Sequence, residues 1–447
     1  MSLTARVKNA CASTSSDLMK SGSSLSVTEL RHDLNRTSAL DAIAGMMADH
    51  PHAARNELRA ACRKALSASK WEALSGAEKQ HLTEQLMDVV FGMGPVEELI
   101  EDESVTEVMV NGAQSVYYER NGKIFKSEAA FESDEQVRVL IDRIIGPLGR
   151  RIDESSPMVN ARLPQGHRVN AVIPPITPDG PHLTIRAFGK RSLTLGEMAA
   201  AGSVGTGLAC YLTWLVRLRK NVVVSGGTGS GKTTMLNALS HLISPDERVI
   251  TIEDSAELKL AKSAHVVRME ARPPSAEGAG EVTIRELVMN ALRMRPDRII
   301  VGECRGGEAW DMLQAMNTGH DGSLTTLHAN APIDVIDRMV TLVRYAADLP
   351  VDAIEAQIGS AFDVIVQVAR DREGRRFVSE VAEASFDRTE RRCAVRSIYK
   401  RSSYEEEGAW LARPRALADL EERARLDESV RKEVARWEAA ELGACSQ

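Results

Sequence analysis

Two textures of hydrophobic spacing divide the chain. From about Leu82 to Phe188, short apolar runs alternate with polar positions and are broken by Gly and Pro turns. Beyond Gly205, unbroken apolar runs of about five residues alternate with stretches of helical spacing. The first texture predicts half-buried strands, and the second predicts buried parallel strands joined by helices. Strands are expected at 105–111, 158–163, 168–173 and 183–188, and a helix at 137–145. Segments 117–119 and 123–125 flank Asn121-Gly122, a pair that tolerates the positive φ angles of a tight hairpin turn.

These patterns predict an α+β N-terminal domain over residues 76–190, a linker over 191–205 and an α/β domain with a parallel sheet over 206–386. Residues 1–75 read as a variable leader: a Ser/Thr-rich, partly disordered run, then Ala/Arg-rich helical spacing from Leu40 to Leu66. Residues 387–447 are charged and partly helical, with Leu417, Leu420, Val430, Val434 and Trp437 at helical spacing. A docking helix and a solvated tail are both open there.

Composition narrows the function. At 447 residues, 43% hydrophobic, the chain is long enough for two or three domains with real cores. Its 56 basic and 63 acidic residues give a net charge of −7, without the basic excess that phosphate-backbone binding calls for, so no nucleic-acid partner is expected. No apolar stretch approaches the ~18 residues of a membrane span, which predicts a cytoplasmic protein with no transmembrane segment. Six scattered cysteines with no CxxC pair predict neither zinc nor a disulfide framework.

The chemistry concentrates at Gly226-Gly227-Thr228-Gly229-Ser230-Gly231-Lys232-Thr233, a full P-loop pattern between a β-branched run at 221–225 and an apolar helix beginning near Thr234. Glycines let the backbone curl so that successive N–H groups face phosphate oxygens, and the helix N-terminus adds its positive end. Lys232 would reach the β- and γ-phosphates, and the Thr233 hydroxyl would complete a magnesium shell; the expected cofactors are ATP and Mg2+. Two further strands end in acids, Glu253-Asp254 and Gly302-Glu303, which should converge on the same edge of the sheet to hold the metal and orient water. Gly302 stands where the commonest magnesium motif has Asp, so Glu303 acts alone there and Glu253 shares its task. His328 ends another short strand and is a candidate γ-phosphate sensor, whereas His320 has only the turn Thr318-Gly319-His320-Asp321-Gly322 around it. Cys304 reads as a small buried hydrophobe.

Together, residues 226–233, 252–258, 295–308 and 318–330 resemble the Walker A, Asp box, Walker B and His box of the secretion and type IV pilus ATPases, in the same order. Within that superfamily the chain is most similar to the CpaF-type ATPase of tight-adherence (Tad, Flp) pili, through Gly94-Pro95 and residues 105–112 and 161–174; the likeness covers about 82–384. The resemblance implies a RecA-like motor domain preceded by a PAS-like N-terminal domain. It also implies a homo-hexameric ring, peripherally associated with the bacterial inner membrane through a platform protein, that turns ATP hydrolysis into pilus assembly, retraction or secretion. It assigns Lys232 and Thr233 to phosphate and magnesium, Glu253 and Glu303 to catalysis, and His320 and His328 to phosphate sensing or positioning. Relatives with a four-cysteine zinc insert are less similar, and the leader sets the chain apart from VirB11-like proteins. The resemblance also brings Arg162, Arg168 and Arg186 of the N-terminal domain to the nucleotide, where a guanidinium can stabilise the leaving γ-phosphoryl. Two other readings stay open, a nucleotide-gated scaffold with little turnover and a DNA translocase of conjugation or uptake.

Overall fold

The computed structural model describes residues 27–37, 39, 43, 51–120, 122–146, 150–163, 166–187, 192–260, 265–274, 279–424 and 428–442. The Ser-rich part of the leader, Asn121 of the expected turn, and Phe188 lie outside the described residues. The chain divides into two compact units, Met1–Gly189 and Lys190–Gln447.

Among the described residues, the first unit contains helices α1 (Val27–Arg36), α2 (Pro51–Ala65) and α3 (Gly76–Phe91). Their apolar stripes meet in one core of Leu30, Leu34, Leu58, Cys62, Leu82 and Leu86, closed by Trp71, whose indole N–H donates to Asp33 at 3.1 Å. The expected boundary near residue 75 is therefore corrected: it falls inside a helical cluster, because α3 completes the core that α1 and α2 begin. After the short α4 (Glu97–Glu101) come strands β1 (Val105–Asn111), β2 (Val116–Arg120) and β3 (Lys123–Lys126), helix α5 (Asp134–Ile145), and strands β4 (Met158–Arg162), β5 (Arg168–Val172) and β6 (His182–Arg186). The six strands pair antiparallel in the order β3-β2-β1-β6-β5-β4. Alternation does the work here: Val169, Ala171, Leu183 and Ile185 turn into a core with Val137, Leu140, Ile141 and Ile144 of α5, leaving the intervening polar residues on the other face.

The second unit begins with α6 (Leu195–Ala200) and α7 (Thr206–Arg217). Thr194 and Glu197 form a capping box for α6, and Leu195 and Met198 join the core of the unit. From residue 192 on, the segment expected to be a linker is thus a packed part of the second unit, hidden in sequence by its shortness. Strands β7 (Val222–Gly226), β8 (Arg248–Glu253), β9 (His265–Glu270), β10 (Arg298–Val301), β11 (Leu324–Leu327) and β12 (Val364–Arg370) form a parallel array in the order β9-β8-β10-β11-β7-β12. Helix α8 (Lys232–Ser240) covers one face with α7, and α9 (Ile284–Ala291), α10 (Glu308–Asn317), α11 (Pro332–Arg344) and α12 (Val351–Ala361) cover the other. Accordingly Val222 and Val224 enter one core and Val223 the other.

Strands β13 (Arg376–Asp387), β14 (Arg392–Lys400) and β15 (Ala409–Trp410) extend the same sheet antiparallel, so nine strands share it. The expected boundary at 386 is a second correction: it cuts the β13–β14 hairpin, whose charged outward positions disguise the strand. Of the two readings left open for the C-terminal end, docking holds. Helices α13 (Ala416–Ala424) and α14 (Glu428–Glu441) bring Leu417, Leu420, Val434 and Trp437 into the core beside α7. The Trp437 indole donates to the Gly207 carbonyl at 2.8 Å and stacks edge-on with Trp214 and Trp410, with ring centroids 5.4 and 5.0 Å away. At the edge where the parallel strands begin, the Arg298 guanidinium, 1% exposed, bonds Glu247 through two nitrogens and the carbonyls of Val216 and Gly322. Those bonds fix three loops on the side away from the P-loop.

Candidate active site

The P-loop leaves β7 at Gly226 and enters α8 at Lys232. Gly226 packs so tightly that a Cβ would stand 2.4 Å from the Val368 carbonyl oxygen and 2.5 Å from Ser230 Oγ. Gly229 and Gly231 hold φ of +69° and +98°, which glycine adopts without strain. Gly231 is the N-cap of α8 and, having no side chain, sets no capping oxygen in front of the helix. A loop of this shape at a helix N-terminus fits a polyphosphate. Gly227 and Thr228 are on the exposed crown, Ser230 Oγ donates to the Gly227 carbonyl at 2.9 Å, and Thr233 and Thr234 lie in the first turn of α8.

Lys232 Nζ donates to the Gly227 carbonyl at 2.9 Å and lies 3.3 Å from His328 Nδ1. His328 Nε2 in turn lies 3.0 Å from Glu303 Oε1. Lys232 Nζ is also 3.4 Å from Nε2, so the ammonium faces both ring nitrogens, and the ring sits between that cation and the Glu303 carboxylate without a hydrogen bond to Glu303 Oε1. Burial and then the Lys232 charge lower the His328 pKa below its ordinary value, with Glu303 pulling the other way. Burial works against the Glu303 charge, yet the Arg305 hydrogen bond, then the Arg305 and Lys232 charges, outweigh it and hold the carboxyl below the usual range. Arg305 spans both strand ends, donating to Glu303 at 2.7 Å and to Asp254 at 3.2 Å.

Glu253 is 3% exposed, and its Oε1 accepts the backbone N–H groups of Glu257 and Leu258 at 2.8 and 3.0 Å. It thus shapes the loop after β8 as well as bringing a carboxylate to the sheet edge. Its side chain also explains Gly302: a Cβ there would lie 2.9 Å from Glu253 Cγ, so the Asp of the commoner motif has no room. Cys304 is buried, 3.3 Å from the Thr325 hydroxyl, with burial pushing its thiol up to about 12.

His320 is not brought to this cluster. It precedes β11, whereas His328 follows it, and four residues at roughly 3.3 Å each put the two on opposite edges of the sheet. His320 Nδ1 lies 3.1 Å from the Ala315 carbonyl and Ser323 Oγ donates to the His320 carbonyl, contacts that close the turn between α10 and β11.

In the first unit, register aligns the three arginines. Arg162 is opposite Arg168, Arg168 is opposite Arg186, and Arg186 is opposite Glu107. Residues paired across strands share a face, so the three form one row on the side away from α5. Burial raises the Glu107 pKa, opposed by the Arg186 charge.

Three residues went unnoticed in the sequence. Gln367, a polar position inside the apolar run of β12, accepts from Ser225 at 2.5 Å and donates to the Ala329 and Asn330 carbonyls, tying the P-loop strand to the segment after His328. Arg370 and Arg376, which pair in register on β12 and β13, lie against the P-loop glycines. A lone Gln among valines was the one signal available; the arginines sit in a charged turn like any other.

Residues 90–433 match the family described as type II/IV secretion system protein. The chain belongs to that family. A Mycobacterium tuberculosis protein named for conjugal transfer is 40% identical over 297 residues, covering 65% of this chain and 84% of that one. The type IV secretion system protein VirB11 of Bartonella quintana is 30% identical over 330 residues, covering 66% and 92%. The solved ATPase DotB of Yersinia pseudotuberculosis, 17% identical with a TM-score of 0.50 over 68% of this chain and 81% of that one, shares the fold. Membership accounts for the four motifs and their order, and the family's ATPases use nucleotide, usually with Mg2+. No helix among the described residues is long and apolar enough to cross a membrane.

Proposed function

We propose that this family member is an ATP-hydrolysing motor of the CpaF type that works as a ring on the bacterial inner membrane to move pilin subunits or exported substrates. The observation that carries the reading is the Lys232–His328–Glu303 chain laid across the mouth of the P-loop. The loop at 226–233 would hold the phosphates, and Thr233 with Glu303 and Glu253 would hold the magnesium. When bound, the metal would neutralise charge on the β- and γ-phosphates. Glu303, ionised by its cationic neighbours, accepts a proton from water or orients it. His328, set between the Lys232 ammonium and the Glu303 carboxylate, is placed to exchange its Lys232 partner for a phosphate oxygen and so to register the γ-phosphate. Lys232 leaves the Gly227 carbonyl for the phosphate it binds more strongly.

The helical cluster of α1, α2 and α3 ahead of the antiparallel sheet supports the CpaF branch, and that sheet with α5 on one face supports a PAS-like reading of the N-terminal domain. The Arg162–Arg168–Arg186 row supports a role for that domain at the phosphates, with nucleotide state read out as domain angle. Relatives named for conjugal transfer favour a second reading, DNA translocation, against which the net charge of −7 weighs.

The test measures ATP hydrolysis by the purified chain with Mg2+. Glu303→Gln should keep nucleotide affinity and lose most turnover, and Lys232→Ala should lose both. Wild-type turnover in Glu303→Gln would overturn the catalytic assignment, and turnover that rises only with DNA would favour the second reading.

A further inference from the structure

The sheet order gives the site a direction. Counting outward from the P-loop strand β7, the strands carrying His328, Glu303 and Glu253 all lie on one side, in the order β11, β10, β8. On the other side lies β12, then β13. Given the reading above, on which this inference rests, the reacting end of the nucleotide points toward Glu303 and His328. Its nucleoside end must therefore leave the P-loop toward the β12–β13 hairpin.

Two guanidinium groups lie there. Arg376 Nε donates to the Gly229 carbonyl at 3.0 Å, and its methylenes lie 3.2 Å from where a Cβ on Gly231 would be. Arg370 Nη1 lies 3.2 Å from the corresponding point on Gly229. The two residues are opposite each other in the β12–β13 register.

The hairpin that holds them is braced. Asp371 accepts the N–H groups of Glu373 and Arg375 at 2.9 and 2.8 Å and the Arg375 Nε at 2.7 Å. The Arg375 guanidinium lies over the Tyr404 ring, 4.7 Å from its centroid, and pairs with Glu405. Arg401 donates to the Gly202 carbonyl at 2.8 Å, anchoring the 401–406 loop to the segment after α6. Two cations beside a phosphate loop, on the side away from the acids and carried on a braced hairpin, make a candidate anion- and hydroxyl-binding subsite.

We infer that Arg370 binds the ribose end of the nucleotide, with Arg376 as the positioning residue that holds Gly229 and the hairpin together. Arg370 thus contributes to recognising a nucleoside polyphosphate as against a bare polyphosphate chain.

Titration calorimetry of the full chain with MgADP and, separately, with magnesium tripolyphosphate tests this. The tripolyphosphate carries the phosphate-loop contacts and lacks the nucleoside. In Arg370→Gln, ADP affinity should fall about tenfold or more, the scale of a lost charge-assisted hydrogen bond, while tripolyphosphate affinity stays within about twofold. Arg370→Lys should recover only part of the ADP affinity, because an ammonium lacks the planar fork. Unchanged ADP affinity in Arg370→Gln would overturn the inference. So would an equal fall for both ligands, which would mean that the arginine merely shapes the loop. Wild-type protein that binds neither ligand would instead overturn the nucleotide reading itself.

Discussion

His328 Nε2 lies 3.0 Å from Glu303 Oε1, so the ring that faces the P-loop lysine is also the ring that touches the strand-end acid. The protonation state of one therefore reports on the other. Burial and the Lys232 charge place the His328 pKa below its ordinary 6.5, and Glu303 opposes them. A neutral ring favoured in the folded state means that the unfolded chain binds more protons below pH 6.5. The stabilisation is fully present above that pH and is lost as pH falls below it toward the folded pKa. In protein with labelled histidines, the His328 NMR titration midpoint should lie below 6.5. It should move up in Lys232→Ala and down in Glu303→Gln; shifts in the opposite directions would break the chain of contacts proposed here.

Gly302 makes a second expectation. Restoring the acid of the commoner magnesium motif with Gly302→Asp should impair the protein rather than improve it. The new Cβ would stand 2.9 Å from Glu253 Cγ and push that side chain off the Glu257 and Leu258 N–H groups. Overpacking of this kind costs roughly 1–3 kcal/mol. A lower melting temperature together with lower turnover is expected, and a variant as stable and more active than wild type would refute the packing argument.

The helices before the sheet decide where the chain can be shortened. A variant beginning at Ser75 keeps α3 but removes α1 and α2, stripping the cover from Leu82, Leu86 and Met87. One beginning at Gly92 removes the whole cluster. The shorter protein should therefore be the more soluble and should melt cooperatively, while the longer one aggregates. Equal solubility by size-exclusion chromatography would show that α3 does not depend on its two partners.

How much of this was legible in the sequence follows from the kind of signal each part sends. Residues 226–233 announce themselves because the glycines are demanded by backbone geometry, and β7, β8 and β10 because strands buried on both faces must be apolar throughout. β14 reads Arg392-Cys393-Ala394-Val395-Arg396 with charges on its open positions, so its membership of the sheet was hidden until Cys393 and Ile398 were seen buried. The roles of Arg370 and Gln367 depend on which strands neighbour β7, a long-range fact that local pattern does not carry. The expectation for His320 treated two histidines in one motif alike. Four intervening strand residues carry them to opposite edges.

The last prediction concerns the arginine row. Arg168 stands between Arg162 and Arg186 in register, so three like charges share one face across three adjacent strands. Like charges directly opposite one another disfavour a sheet by up to roughly 1 kcal/mol a pair, and Glu107 opposite Arg186 offsets part of that. An anionic ligand would use the row, since a second guanidinium at a leaving γ-phosphoryl accelerates transfer by about 10³–10⁵. Each arginine is changed to Gln in turn, and melting temperature, ring assembly, ATP affinity and turnover are measured separately. At least one variant should fold, assemble and bind ATP as wild type does while losing most of its turnover. Three variants with unchanged turnover would show that the row serves the N-terminal domain alone. A loss of turnover that tracks a fall in melting temperature would assign it to stability.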